Sequence, residues 1–146
     1  MNSDPMREQI QCACTNLKIA SRAAGRVWDK ALSTTDVNST QYAILRNIAR
    51  HQPIANMKLA ELLGMERTTL YRAVALLERQ DLVSSEAAPE GRSKLLRLTS
   101  KGITVTEDAR GAWEDAQARL VKKLGSQKWA EFLSTLRIIQ HQLEDM

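Results

Sequence analysis

Apolar positions recur along this chain with two different periods, and the changeover divides it. Ile10, Ala13, Leu17, Ala20, Ala24, Val27 and Ala31 follow one another at alternating spacings of three and four, which lines up one face of an α-helix. Asp4-Pro5 supplies a start, an N-cap side chain followed by an early position that suits proline. A long helix is therefore expected from there to about Leu32, with an alanine-rich seam that lets a partner helix approach closely. Asn38, with Gln41 three residues on, makes a capping box for a second helix carrying Tyr42, Leu45, Ile48 and Ala49 and stopped before Pro53. A short helical stretch through Leu59 and Leu63 is closed by Gly64, and Met65 to Gln80 follows as a helix buried through Leu70, Val74 and Leu77. The period then shortens. Leu82 to Glu86 and Lys94 to Leu98 read as strands around a turn containing Pro89 and Gly91, a β-hairpin. Thr99 caps a second long helix with Val105, Ala109, Ala112, Trp113, Ala116, Leu120 and Leu124 on one face, broken at Gly125-Ser126. The last helix places Trp129, Phe132, Leu136, Ile139 and Leu143 at spacings of three, four, three and four, the seam of a coiled-coil-like contact.

The predicted fold is mainly α with a small β-hairpin wing. Helix, short helix with a glycine stop, second helix and hairpin stand in the order of a winged helix-turn-helix. Residues 33–102 are assigned to that DNA-binding domain, with a recognition helix at about 66–80 and a wing at about 82–98. Residues 1–32 and 103–146 are assigned to a helical dimerisation region, because their apolar seams exceed what a small winged domain can cover.

Composition narrows the function. The chain has 146 residues, 43% hydrophobic and 26% charged, and carries a formal charge of +4, which favours an anionic partner and doubles in a dimer. Paired catalytic carboxylates, a Cys/His dyad in register and a glycine-rich phosphate loop are all missing from the pattern, so no enzyme is expected. No cofactor is implied, and His51 and His141 lack metal-binding spacing. Without a signal-like N-terminus or a membrane-length apolar run, the expected setting is cytoplasmic, with no membrane partner and reduced thiols.

Double-stranded DNA is the expected partner. On the recognition helix Arg67, Thr68, Tyr71 and Arg72 face away from Leu70, Val74 and Leu77, with Thr69 beside them. Arginine pairs bidentately with guanine or grips phosphate, and threonine bonds phosphate or touches a thymine methyl. Arg92 and Lys94 at the wing suit minor-groove insertion, where negative potential concentrates. Glu90 is placed to orient Arg92. The competing reading, from a different class, is a winged protein-interaction module that never binds duplex DNA.

The sequence resembles the MarR-type (multiple antibiotic resistance) transcriptional regulators. The resemblance rests on Leu59 to Leu70, Leu76 to Val83, Gly91-Arg92-Ser93-Lys94 and Leu98-Thr99-Ser100-Lys101-Gly102. Departures are Glu66 and Glu90, where the family often has aspartate, and Asp81, where it has glycine; the last change is expected only to stiffen the helix exit. The resemblance implies a homodimer joined through its first and last helices, here through Ile10, Leu17, Trp129, Phe132, Leu136, Ile139 and Leu143. It also implies a repressor released from a near-palindromic operator by a small effector, often phenolic or an aromatic acid. Arg22, Trp28, Tyr42 and Arg46 are the candidate ligand residues, combining aromatic walls with a cation.

A further branch of that family senses organic peroxide through a cysteine on the first helix. Both cysteines of this chain fall there, as Gln11-Cys12-Ala13-Cys14. Residues two apart on a helix point about 200° apart, so a continuous helix keeps the thiols from pairing. Cys14 borders the seam, stands fourteen residues before Trp28 and has Lys18 one turn away. It is the redox candidate; the alternative is a small apolar filler, and Cys12 reads as incidental.

Overall fold

The computed structural model describes residues 11–91 and 93–146. The Asp4-Pro5 start, Ile10 and Arg92 therefore lie outside the described residues. The elements are α1 (Ala13–Ala31), α2 (Ser39–His51), β1 (Ile54–Ala55), α3 (Asn56–Leu63), α4 (Arg67–Arg79), β2 (Val83–Ala87), β3 (Lys94–Leu98), α5 (Ser100–Leu124) and α6 (Ser126–Glu144).

Local chemistry accounts for most of these boundaries. Asn38 Oδ1 accepts from Gln41 N–H at 2.9 Å while Gln41 Oε1 accepts from Asn38 N–H at 2.9 Å, a complete capping box. Gly64 ends α3 in the left-handed conformation at φ +59°. Thr99 Oγ1 accepts from Gly102 N–H at 2.9 Å and starts α5. Three expectations change. The first helix is not continuous through the cysteines, because Cys12 is extended (φ −85°, ψ 107°) and caps a helix that begins at Ala13. Ala49 is exposed, and Ile44 takes the core position beside Leu45 and Ile48. Asp81, read as a stiffener, sits at φ +59°, a left-handed position that glycine adopts without cost and aspartate tolerates better than most.

The wing is a three-stranded antiparallel sheet ordered β1-β3-β2 rather than a bare hairpin. Leu96 of β3 stands opposite Ile54 on one side and Ser85 on the other. Gln52 extends the pairing with its side chain, accepting from Leu98 N–H at 2.9 Å. Beneath the sheet lies one apolar core. Tyr42, Ile44, Leu45 and Ile48 of α2, Leu59 of α3, Leu70, Val74 and Leu77 of α4, Leu96 of β3, and Val105 and Ala109 of α5 all enter it. Each large side chain so buried contributes roughly 1.5–3 kcal/mol.

A backbone junction holds α5 to this core. Thr99 donates its hydroxyl to Asp81 O at 2.6 Å and its N–H to Leu82 O at 3.1 Å. Gly102 packs so close to Leu82 that a Cβ there would collide with the Leu82 carbonyl oxygen. Neither α1 nor α6 buries any residue.

Candidate nucleic-acid interface and effector cleft

Helix α4 is anchored by one face and free on the other. Leu70 and Leu77 are fully buried and Val74 nearly so, whereas Arg67, Thr68, Tyr71 and Arg72 are exposed. Arg67 and Tyr71, like Thr68 and Arg72, are one turn apart and share an edge of the helix. Glu66 precedes α4 without a side-chain capping bond, and no acid occupies the first turn. Its leading N–H groups and positive dipole end thus lie beside Arg67, without a capping bond from the Glu66 side chain.

Tyr71 also joins the wing. It lines a groove of about 330 Å³ together with Asn56, Met57, Val74, Ala75, Glu78, Ser93 and Lys94. Two of the side chains expected to meet DNA, Tyr71 and Lys94, are therefore brought together from helix and strand. Asn56, not anticipated from sequence, has a buried Oδ1 with no donor among the described residues. Within the wing, Arg97 Nε lies 3.4 Å from Glu86 Oε1 across the strand pair. Glu90 accepts from Ser93 Oγ at 3.1 Å, while Arg92, which it was expected to orient, lies outside the described residues.

Thr69 faces a different space. It lines a cleft of about 490 Å³ with Ala24, Gly25 and Trp28 of α1, Ser39, Thr40 and Ala43 of α2, Leu63, Met65, and Trp113 of α5. Of the expected ligand residues only Trp28 is in this wall. Tyr42 is buried, with its ring centroid 4.7 Å from that of Trp113, and burial raises its phenol pKa. Arg46 is half-buried and Arg22 exposed, and neither lines the cleft. Trp28 and Trp113 are tilted at 58° with centroids 5.8 Å apart. The Trp28 Nε1 is buried with no acceptor among the described residues.

Residues 37–92, which span α2 to the tip of the wing, match the family model described as MarR family. The chain carries a MarR-family domain. The solved structures that the chain resembles include DNA-bound transcriptional regulators. Among solved structures, the chain is similar to the M. tuberculosis transcriptional regulator MosR in complex with DNA. The TM-score is 0.84 and the identity 29%, over 92% of this chain and 98% of that one. A mutant of E. coli MarR complexed with operator DNA shares the fold at TM-score 0.81 and 23% identity, over 94% and 99% of the two chains. So does PcaV from Streptomyces coelicolor in complex with its natural ligand, at TM-score 0.80 and 22% identity, over 91% and 94%.

Outside the matched segment, the chain has its two thiols at the start of α1. Both are free and exposed. Cys12, not Cys14, is the one the backbone engages: its Sγ accepts from Thr15 Oγ1 at 3.3 Å and from Thr15 N–H at 3.5 Å. These bonds, the hydroxyl first, lower the Cys12 pKa, as expected for a thiol at a helix N-terminus. Cys12, expected to be incidental, has a structural role as the cap of α1, and the helical geometry invoked to separate the thiols does not hold there. Among the described residues, no group of three or more His, Cys, Asp or Glu side chains is placed to hold a metal ion. No helix among them is long and apolar enough to cross a membrane.

Proposed function

We propose that the protein is a homodimeric repressor that binds a near-palindromic operator and leaves it when a small molecule enters the Thr69 cleft. Residues 33–102 form the DNA-binding unit. Residues 1–32 and 103–146 form the dimerisation region, with Leu17, Trp129, Phe132, Leu136, Ile139 and Leu143 at the interface. Arg67, Thr68, Tyr71 and Arg72 enter the major groove, and Lys94 with Arg92 follows the backbone or minor groove.

The observation that carries the reading is the split of α4, with a basic exposed edge on one side and Thr69 in the effector cleft on the other. One helix thereby touches both the DNA and the ligand space. A ligand that binds the free arrangement better than the DNA-bound one shifts the population away from DNA.

Fluorescence anisotropy on duplex DNA from upstream of the chain's own gene tests it. Arg67→Ala with Arg72→Ala is expected to weaken binding by about 100-fold or more, and wild-type affinity falls steeply with salt. Unchanged affinity in the double variant overturns the assignment of α4. Binding to proteins but never to duplex DNA favours the interaction-module reading instead.

A further inference from the structure

The chain leaves α4 through a turn that is held from two sides. From within, Asp81 N–H donates to Glu78 O at 3.0 Å and Leu82 N–H to Leu77 O at 2.9 Å, closing the turn around the left-handed Asp81. From without, three consecutive carbonyls each take a donor from the start of α5. Lys101 Nζ donates to Gln80 O at 3.0 Å, Thr99 Oγ1 to Asp81 O at 2.6 Å and Thr99 N–H to Leu82 O at 3.1 Å.

These three bonds are not alike. Both Thr99 bonds come from the residue that caps α5, and Gly102 packs against Leu82 beside them, so they belong to the folded core. Lys101 is exposed, and among the described residues it makes no ion pair. Its ammonium instead meets a main-chain carbonyl at the C-terminal end of α4, where the helix dipole favours a positive charge. Water is the alternative partner for an exposed ammonium, so the bond adds little to stability. What it fixes is direction. Gln80 lies about 20 Å along the axis from Arg67, at 1.5 Å per residue. A tilt of about 5° pivoting there moves the start of α4 by roughly 2 Å, more than a hydrogen bond to a base edge tolerates.

We propose that Lys101 is a positioning residue for DNA recognition: its bond to the Gln80 carbonyl fixes the angle between α4 and α5 and so aims Arg67, Thr68, Tyr71 and Arg72. The proposal rests on the reading of α4 as the DNA-contacting helix. Lys101 touches neither base nor phosphate in this role. Helix α5 continues from the junction to contacts with α1 and α6. In the homodimer α5 therefore carries α4 with it, and the same bond holds the two reading edges at one separation.

The test uses the full-length protein and two variants. Lys101→Met keeps the apolar stem and removes the donor, whereas Lys101→Arg keeps both a donor and the charge. Anisotropy compares them with wild type on three duplexes: DNA from upstream of the chain's own gene, the same DNA with one base pair inserted at its centre of symmetry, and a scrambled sequence of equal length. Lys101→Met is expected to lose roughly fivefold in affinity for the upstream DNA relative to the scrambled duplex, the scale of one hydrogen bond from a charged donor. It is also expected to lose part of the discrimination against the insertion, which shifts the half-sites by about 3.4 Å. Lys101→Arg is expected to recover most of both. Without DNA, hydrogen exchange over residues 77–82 is expected to be about threefold faster in Lys101→Met and unchanged at the start of α4. A merely structural role lowers the melting temperature and leaves the ratio between duplexes as it was.

Equal losses on upstream and scrambled DNA, with a salt slope smaller by about one, make Lys101 a phosphate contact and overturn the proposal. So does an unchanged ratio in Lys101→Met, or a loss that Lys101→Arg does not recover. Failure of Lys101→Met to fold makes the bond a requirement of the fold and overturns it too. Wild type that binds no duplex DNA removes the reading of α4 itself, and the positioning role with it. Wild type that binds while Lys101→Met matches it on all three duplexes removes the positioning role alone.

Discussion

Helices α2 and α6 both carry apolar residues at helical spacing, yet the fold treats them differently. In α2, Ile44, Leu45 and Ile48 are 0% exposed and Tyr42 is 1% exposed. In α6 nothing is buried, and Phe132 is 44%, Ile138 60% and Leu143 56% exposed. Helix α1 resembles α6, with Ile19 and Val27 about half exposed. The winged unit closes its own core through contacts among α2, α3, α4, α5 and the sheet. Among the described residues, the stripes of the outer helices meet no partner large enough to cover them. An apolar stripe therefore reports a need for burial, and the surrounding topology decides whether one chain meets it.

The largest expected effect follows from the outer helices. Leu136 and Ile139 are adjacent on the α6 seam and only partly covered, so burial of such side chains in a second copy is worth roughly 1.5–3 kcal/mol each. Leu136→Glu with Ile139→Glu is expected to convert the dimer to a monomer by light scattering, a shift in dissociation constant of about 1000-fold or more. The winged unit should keep its helical circular dichroism. A variant that remains dimeric would mean that the α6 stripe is not what joins two copies; a variant that unfolds entirely would mean the winged core is not self-sufficient.

The second effect is inside the winged unit. Adding a Cβ at Gly102 sets it against the Leu82 carbonyl oxygen, a backbone atom with no rotamer to relieve it. Gly102→Ala is expected to destabilise the chain by about 3 kcal/mol, at the upper end for overpacking, read as a lower urea midpoint with unchanged slope. A loss below about 0.5 kcal/mol, the ordinary range for a neutral surface change, would show that the α5 junction yields freely. Dimer mass should be unaffected at native conditions, in contrast to the α6 variant.

The same contrast governs what was legible in the sequence. Asn38, Gly64 and Thr99 mark their helix ends through side-chain and backbone chemistry contained in a few residues, so their roles are readable without the fold. The free and buried edges of α4 follow from periodicity in the same way. Cys12 escaped notice because thiols are not usual helix caps, and its bonds to Thr15 compete with continuing the helix. Strand β1, two residues long, has no period to detect. Tyr42 reads as a ligand residue in the sequence because Trp113, the ring it packs against, is distant along the chain. Thr69 looked like a neighbour of the DNA-facing residues; only the packing of α1 and α5 against α4's other side gives it a cleft to line. Asp81 shows the limit of substitution reasoning, since its cost depends on a backbone angle no side-chain pattern reports.

The smallest expected effect lies where the two regions meet. Asp29 near the end of α1 accepts from Ser39 N–H in the first turn of α2 at 2.8 Å, where a negative charge also favours the helix dipole. Hydrogen bonding to Ser39 depresses its pKa in the folded state. A carboxyl with a depressed folded pKa contributes stability above its unfolded value of about 3.9 and loses it as pH falls through the lower folded value. Because the group is exposed, solvent screening keeps the contribution below about 1 kcal/mol. Asp29→Ala is expected to lower stability by up to that amount at pH 7 and to match the parent once pH falls below the folded pKa. Asp29→Asn retains an acceptor but not the charge, and should fall between the two at pH 7 with a shallower acid limb than the parent. Urea titrations of the three proteins between pH 7 and pH 2.5 separate these outcomes. If Asp29→Ala shows the parent's acid limb unchanged, the bond between α1 and α2 carries no pH-linked stability.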